Sequence, residues 1–336
     1  MKKKFFRPFL LFAAITIPSC FNLTSCTIQI NTYVPINDDH FKYISEREMS
    51  IGAYAITDQG QAYASFGTAW FYKRYSDNDY TYEIITNYHV YEGIKEILNQ
   101  SNTTHQLGFA SNVYDQYSYK TIDFYYDYAI NESTIANDFT TLTPAFVSFG
   151  EVQIGDISLP AYMDICAFKV DLTNAYYNPR SNSTFKDQID YINSHYLKGA
   201  NIVNINEQAL SSKSKVYMAG FPWADSSPDS TCDYTYFCEE IDYLDKLEEP
   251  ALNIVSPTYL TYQNQWTTKW KSLTYMGGGA SGSMVINEDY EVVGIYWGGS
   301  GYEESSEFQK TFALFSIPGG STEYIDFFAA AASILG

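Results

Sequence analysis

Cysteine, histidine and basic side chains are all scarce in this chain of 336 residues. It has 5 Cys and 4 His, and only 20 Lys plus Arg against 39 Asp plus Glu. No Cys and His have the spacing of a zinc site, so we expect neither a metal nor another cofactor. A formal net charge of −19 leaves no basic surface to hold phosphates, which argues against nucleic acid as a partner.

Long hydrophobic runs are also missing, apart from one stretch near the start. The basic segment MKKKFFR precedes apolar residues 9–17, a stretch too short to span a bilayer. Cys20 and Cys26 each end a segment that is similar to a bacterial lipobox. We predict a signal peptide over residues 1–26 with the lipid on Cys26; Cys20 is the alternative site, and an ordinary secretory signal is the alternative interpretation.

The predicted processing fixes where the protein is expected to act. Removal of the signal peptide takes away four basic residues and changes the net charge to about −23. Such a charge opposes adsorption to anionic lipid, so a covalent lipid is a sensible tether. We therefore expect a cell-surface protein, anchored by lipid to the extracellular face of the plasma membrane, with a polar stalk over residues 27–48.

Three cysteines remain beyond the predicted signal peptide. Cys232 and Cys238 are separated by five residues in a polar segment, and they form either a loop-closing disulfide or two reduced thiols. Cys166 stands in an apolar run and is expected to be a small buried hydrophobic residue.

Aromatic residues are abundant, with 32 Tyr and 22 Phe. This globular composition favours β structure. Apolar segments bounded by turn residues predict strands at 64–72, 82–87, 121–128, 144–149, 157–170, 216–221 and 254–262. Helical spacing predicts a helix over 185–197, and an Ala-rich segment predicts a second over 323–335, capped by Ser321 or Thr322. The expected body is a β-barrel or sandwich with a late helix.

The segment GGGASGSMV, residues 277–285, is the most informative motif. Glycines around one serine let the backbone approach a substrate closely, and neighbouring N–H groups can then form an oxyanion hole. Ser281 is therefore the candidate nucleophile. By itself the motif also fits an ordinary Gly/Ser-rich loop.

Two further residues complete a candidate triad. His89 stands at the end of the apolar segment IITNYHV, where a rigid element can hold a general base. A packed or surface histidine is the alternative. Asp164 enters the apolar run DICAFKV, where its carboxylate needs a partner. That partner is either His89 or the backbone of a turn.

The order His89, Asp164, Ser281 is that of chymotrypsin-like proteases. The segments TNYHV, DICAFKV and GASGS, together with FGTAWF at 66–71, resemble the corresponding motifs of bacterial trypsin-like peptidases. GSMVIN at 282–287 and VGIYWG at 293–298 resemble a mycoplasma lipoprotein peptidase family that includes the immunoglobulin-cleaving protease. The resemblance covers about residues 50–318.

The resemblance implies a mostly β, chymotrypsin-like double β-barrel with loop and helix insertions and a C-terminal helix. Residues 49–210 would form the first barrel, which carries His89 and Asp164. Residues 211–336 would form the second barrel, which carries Ser281, and the C-terminal helix; the two barrels make one catalytic unit. Insertions near 91–120, 172–212 and 226–250 would recognise a protein substrate or gate the cleft.

Roles in the site follow from the same resemblance. The backbone N–H groups of Gly279 and Ser281 would form the oxyanion hole. Substrate would pair as an added strand along a wall made by Tyr296, Trp297 and Gly298, and Tyr275 would lie at the base of the specificity pocket. Ser283 and Met284 depart from the common Gly-Pro at these positions, although Gly-Ser is known in glutamyl-specific relatives.

The implied function is a surface-anchored serine endopeptidase that cleaves host proteins, with immunoglobulin heavy chain as the candidate substrate and a separate immunoglobulin-binding surface protein as a candidate partner. The alternative is an inactive protease-fold lipoprotein that only binds host protein. No single residue of the sequence determines the side-chain preference.

Overall fold

The computed structural model of the protein describes eighteen segments of the chain. They are residues 39–57, 59–60, 62–98, 103–110, 121–123, 148–154, 157–162, 164–177, 183–208, 215–221, 233–235, 237–241, 251–254, 262–265, 267–272, 279–300, 308–314 and 327–335.

Helices are few and short. Within the described residues they are α1 Asp39–Ser45, α2 Tyr88–Leu98, α3 Thr173–Tyr177, α4 Ser183–His195 and α5 Phe327–Leu335. The helix predicted over 185–197 corresponds to α4, and α5 occupies the later part of the one predicted over 323–335. None of these helices is long and apolar enough to cross a membrane.

Strands make up most of the regular structure. They are β1 Glu48–Thr57, β2 Ala62–Arg74, β3 Thr81–Thr86, β4 Thr103–Ala110, β5 Thr121–Asp123, β6 Ser148–Ile154, β7 Ile157–Tyr162, β8 Cys166–Asp171, β9 Asn204–Ile205, β10 Val216–Gly220, β11 Asp233–Thr235, β12 Phe237–Ile241, β13 Ala251–Ile254, β14 Tyr262–Gln265, β15 Thr267–Ser272, β16 Met284–Asn287, β17 Glu291–Ser300 and β18 Phe308–Leu314. The predicted mostly β class is confirmed.

Two larger sheets organise these strands. A five-stranded sheet has the order β4-β1-β2-β3-β8, and a seven-stranded sheet has the order β12-β10-β16-β17-β18-β15, with β9 beside β17. Nearly all pairs are antiparallel, and the parallel ones are β7 with β14 and β9 with β17. The first sheet contains β3, which leads to His89, and β8, which follows Asp164, and the second sheet contains β16, which follows Ser281.

Three strand pairings cross the predicted boundary at residue 210. They join β5 to β11, β7 to β14 and β9 to β17. The C-terminal helix crosses it as well, because Phe328 packs against Trp70 and Tyr72 of β2, with ring centroids 6.3 and 4.7 Å apart. The two halves of the chain therefore share their packing rather than forming separate units.

The predicted stalk ends earlier than residue 48. Helix α1 buries Phe41 and Ile44 in the core, and the ring of His40 stacks on Tyr217 of β10 at a centroid distance of 3.9 Å. β1 then begins at Glu48. Residues 39–48 were expected to be stalk because they are polar, but their few apolar side chains all point into the body.

Candidate active site

His89 lies at a strand-to-helix junction. β3 ends at Thr86, and the Asn87 carbonyl accepts a hydrogen bond from the Tyr91 nitrogen at 3.2 Å, which makes Asn87 the N-cap of α2. His89 was predicted at a strand end; it stands instead in the first turn of this helix. Asn is a favoured N-cap residue, but the buried Oδ1 of Asn87 has no partner among the described residues, and Asp164 accepts from the His89 nitrogen instead.

Asp164 holds His89 through both carboxylate oxygens. Oδ1 accepts a hydrogen bond from the His89 backbone nitrogen at 3.0 Å, and Oδ2 lies 2.6 Å from Nδ1 of the ring. The Asn87 amide in turn donates to the Asp164 carbonyl at 2.6 Å. Asp164 therefore pairs with the imidazole and also caps α2, where the helix dipole favours a negative charge.

Burial and the charge of Asp164 shift the pKa of His89 in opposite directions. Burial lowers the pKa of the imidazole, but the charge of Asp164 and its hydrogen bond outweigh this and hold the pKa above 6.5. The Asp164 side chain is 2% exposed and that of His89 is 35% exposed. A carboxylate can only accept, so Nδ1 carries the proton and Nε2 is left as the basic nitrogen.

Ser281 lies in a tight turn that we call the serine turn, residues 279–283. Gly279 and Gly282 both have positive φ angles, 95° and 97°. The Ala280 carbonyl accepts two hydrogen bonds from Ser283, from its nitrogen at 3.1 Å and from Oγ at 2.6 Å. Ser281 itself is 8% exposed. The predicted Gly/Ser-rich loop is thus a defined and mostly buried turn.

The serine turn docks on the end of the first sheet. The Thr68 nitrogen on β2 donates to the Ser281 carbonyl at 2.8 Å, and the Thr86 hydroxyl on β3 donates to the Thr68 carbonyl at 2.7 Å. Thr86 precedes His89 by three residues. Ser281 is therefore fixed where the strand leading to His89 ends, at the junction of the two larger sheets.

Gly282 is required by this close approach. A Cβ atom there would lie 2.0 Å from the Thr68 carbonyl oxygen and 2.5 Å from the Thr86 hydroxyl. Its nitrogen donates to the Tyr296 carbonyl at 2.8 Å, which ties the turn to β17. Only glycine combines this space with a positive φ.

Glu48 is a buried neighbour of the candidate site that was not predicted from the sequence. Its Oε1 accepts a hydrogen bond from the Met284 nitrogen at 2.6 Å, three residues after Ser281. Among the described residues Oε2 has no partner, and burial raises the pKa of this carboxyl well above 4.5. It was overlooked because it fell inside the predicted stalk; a charged residue directly before an apolar strand was the available signal.

Tyr296, which was predicted to lie in the substrate wall, is bonded to the serine turn. Tyr296 is fully buried, its carbonyl accepts from Gly282, and its nitrogen donates to the Ser283 carbonyl at 2.9 Å. Both backbone groups therefore bond to the serine turn, which Tyr296 supports, and its place in the substrate wall stays a prediction. The bulge between Tyr296 and Gly298 changes the direction of β17 at this point.

Gly298 lies on a segment with an open side. Residues 298–300 pair with residues 309–311 of β18, and no other described strand pairs with them. A Cβ atom added to Gly298 would meet nothing within 4 Å. Trp297 lies beside it on β17, and the description does not extend to its side chain.

Several predicted residues fall on positions that the structure does not describe. Tyr275, Cys20, Cys26, Cys232, Ser321 and Thr322 are outside the described residues, and Cys238 is on β12 with its side chain undescribed. Cys166 is a buried free thiol, as predicted. In the described segments no three His, Cys, Asp or Glu side chains are grouped to hold a metal ion.

Comparisons with known proteins point to serine proteases. Residues 256–314 match the family described as Peptidase S7, flavivirus NS3 serine protease. This segment contains Ser281 but neither His89 nor Asp164. No curated protein is significantly similar to the chain in sequence.

Solved structures of serine proteases are among those that the chain matches. The Rv3671c protease in its inactive form has 11% identity and a TM-score of 0.35, with 90% of this chain and 94% of that chain covered. The thermostable serine protease AL20, from an extremophilic microorganism, has 12% identity and a TM-score of 0.33, with 82% and 93% covered. The resemblance to mycoplasma lipoprotein peptidases stays a prediction.

Proposed function

We propose that this protein is a serine endopeptidase that uses Ser281, His89 and Asp164. The observation that carries the proposal is the double contact of Asp164 with His89, next to a serine turn that is bonded to the same sheet end. A packed or surface histidine has no need of a buried carboxylate that binds both its backbone and its ring. The match of residues 256–314 to a serine protease family supports the same activity.

The proposed reaction has two halves, acylation of Ser281 and hydrolysis of the resulting ester, and each half forms one bond at the carbonyl carbon and breaks another. Ser281 Oγ attacks the carbonyl carbon of the substrate while Nε2 of His89 takes the hydroxyl proton. His89 then gives this proton to the leaving amine as the C–N bond breaks, which leaves an ester on Ser281. Water, deprotonated by His89, attacks the ester and releases the new carboxylate and the serine hydroxyl. Asp164 stabilises the imidazolium in both halves.

The oxyanion that develops in each half needs donors. We assign them to the backbone N–H groups of Gly279 and Ser281. Removing one such donor typically lowers the rate about 10²–10³-fold. The substrate backbone would extend the sheet along residues 298–300, which pair with β18 on one side and with no other described strand on the other.

The proposed setting is the cell surface, with the lipid on Cys26 or Cys20, and the proposed substrates are host proteins such as immunoglobulin heavy chain. A separate immunoglobulin-binding protein would deliver the substrate. These proposals rest on the N-terminal segment and on the resemblance of residues 282–287 and 293–298. A protein of the same fold that only binds host protein is the second candidate, favoured by nothing in the geometry of His89 and Asp164.

A fluorophosphonate probe tests the activity. Ser281 Oγ bonds to phosphorus, fluoride leaves, and the hydroxyl proton passes to His89. Wild type is expected to label, and Ser281→Ala is not. Ser194→Ala is the matched control, because Ser194 is an exposed serine whose Oγ lies 3.0 Å from Nδ1 of His195, and its loss should leave labelling unchanged. If the probe never labels the wild-type protein, the proposed serine peptidase activity is wrong.

The same variants test the substrate class. Wild type and Ser281→Ala are incubated with host serum proteins, and fragments are identified by intact mass. Fragments that depend on Ser281 identify the substrate and the cleavage site. Saturable binding of a serum protein that persists in Ser281→Ala, with no fragment in wild type, would favour the binding protein instead.

A further inference from the structure

Thr68 stands at the centre of the contact between the two larger sheets. Its hydroxyl donates to the Gly279 carbonyl at 3.0 Å and accepts from the Phe221 nitrogen at 3.1 Å. Its backbone nitrogen donates to the Ser281 carbonyl at 2.8 Å, and its own carbonyl accepts from the Thr86 hydroxyl at 2.7 Å. The residue is fully buried.

These bonds reach both residues that are assigned to the oxyanion hole. The carbonyls of Gly279 and Ser281 are both held toward Thr68, so the peptides on either side of the Ala280–Ser281 peptide have fixed directions. The Ala280 carbonyl is held by Ser283, at 3.1 and 2.6 Å. Because the N–H of a trans peptide points opposite to its carbonyl, the Ser281 N–H is directed away from Ser283.

The same residue is bonded to the strand that leads to His89. Thr86 donates to Thr68 and is followed by the N-cap Asn87 and by α2. A shift of Thr68 therefore moves the serine turn relative to the His89–Asp164 pair. A displacement of about 1 Å between reacting groups can cost on the order of 100-fold in rate.

We propose that the Thr68 hydroxyl is a positioning group that sets the oxyanion hole of the serine turn before substrate binds. The inference rests on the proposed function, because it concerns the rate at which Ser281 reacts. Thr68 touches no reacting atom itself. It acts by fixing the Gly279 carbonyl and thereby the direction of the peptides around Ser281.

The hydroxyl is isolated by two substitutions. Thr68→Val keeps the shape and removes the hydroxyl, whereas Thr68→Ser keeps the hydroxyl and removes the methyl group. With p-nitrophenyl acetate as the probe, we expect Thr68→Val to lower kcat about 10- to 100-fold with little change in KM. The second-order rate of fluorophosphonate labelling should fall by a similar factor, and Thr68→Ser should stay within about threefold of wild type because the bond is retained.

Stability is measured beside activity. Thr68→Val also removes the acceptor of the Phe221 nitrogen, so its midpoint of thermal unfolding should fall, and rates are compared only at temperatures where each variant is folded. If Thr68→Val does not fold, Thr68→Ala takes its place because it removes the hydroxyl without adding an atom. Its rates are then compared with those of Thr68→Ser.

The outcomes separate this inference from the proposed function. Wild type that does not react with the fluorophosphonate overturns the serine peptidase. Wild type that reacts, together with a folded Thr68→Val or Thr68→Ala that reacts equally fast, overturns the role of Thr68 alone. A loss in Thr68→Ser as large as that in Thr68→Val also overturns it, since packing rather than the hydroxyl would then set the rate.

Discussion

The Asp164 carboxylate binds His89 twice, with Oδ1 at 3.0 Å from the backbone nitrogen and Oδ2 at 2.6 Å from Nδ1. Asp164 thus caps the N-terminus of α2 and also orients the imidazole ring that this helix carries. The helix and the imidazole cannot change direction independently, which fixes Nε2 for proton transfer. This arrangement gives the first prediction.

Asp164→Asn is expected to lower kcat/KM by about 10⁴-fold while the fold is kept. The Asn oxygen can still accept from the His89 backbone nitrogen, but an amide NH₂ facing Nδ1 selects the wrong tautomer. Asp171→Asn, at the other end of β8, is the matched control and should keep full activity. The measurement is the rate of fluorophosphonate labelling, with circular dichroism to verify folding. Equal rates in the two variants would contradict the role of Asp164.

The pH dependence of activity should report the pKa of His89. The imidazole must be neutral to accept a proton, so kcat/KM should rise as the pH passes through a value above 6.5. In Asp164→Asn the charge that raises this pKa is gone while burial still lowers it, so the midpoint should move to lower pH. The measurement is the labelling rate between pH 5 and 9. A midpoint that is the same in both proteins would show that the titrating group is not His89.

Gly282→Ala should abolish activity and destabilise the protein. The added methyl group would lie 2.0 Å from the Thr68 oxygen at a φ of 97°. Gly199→Ala is the matched control, since Gly199 has a φ of 86° and nothing within 4 Å. The control should cost only the strain of a positive φ, about 1–2 kcal/mol, and Gly282→Ala distinctly more. Urea unfolding measures both, and equal losses would mean that the serine turn relaxes away from Thr68.

Glu48→Gln should be at least as stable as wild type at neutral pH, and Glu48→Ala much less stable. The Gln oxygen can still accept from the Met284 nitrogen, whereas Ala leaves this nitrogen unsatisfied at a cost of about 1–3 kcal/mol. Because burial raises the pKa of Glu48 above 4.5, the folded protein holds a proton that the unfolded chain releases, and wild-type stability falls as pH rises above 4.5. The advantage of Gln over Glu should therefore vanish below pH 4.5. If Glu48→Gln exceeded wild type in stability mainly at low pH, the pKa of Glu48 would not be raised in the folded protein, which would contradict the prediction.

Glu83→Gln offers a second test of the same kind in the core of the first sheet. Burial raises the pKa of Glu83 to about 7, and the Tyr75 hydroxyl donates to it at 3.4 Å. Wild-type stability should lose roughly 3 kcal/mol between pH 4.5 and 7, since a shift of one pKa unit corresponds to 1.36 kcal/mol. Glu83→Gln should not lose stability over this range, because Gln does not titrate. The check is the unfolding free energy of both proteins, measured in urea between pH 4.5 and 7. If the two proteins changed with pH in parallel, a raised pKa of Glu83 would be contradicted.

Some of this molecule follows from the sequence alone. Alternation of apolar and turn-forming segments indicated a mostly β chain, and four residues at helical spacing indicated α4, because both patterns depend on neighbours along the chain. The order of the motifs around His89, Asp164 and Ser281 identified the candidate site, and glycines beside Ser281 indicated a turn that needs positive φ.

Tertiary structure decided what depends on residues distant in sequence. Helix α1 was taken for stalk, since nothing near His40 reveals that Tyr217 stacks on it. The roles of Thr68 and Glu48 arise only when two sheets meet, because Thr68 bonds to Gly279, 211 residues further along the chain, and Glu48 bonds to Met284, 236 residues further. The bonds between Tyr296 and the serine turn likewise join segments that no local pattern in the sequence connects. The sequence thus identified the candidate catalytic residues, and the packing of one sheet on the other determined how they are held, because hydrogen bonds between distant segments leave no local pattern.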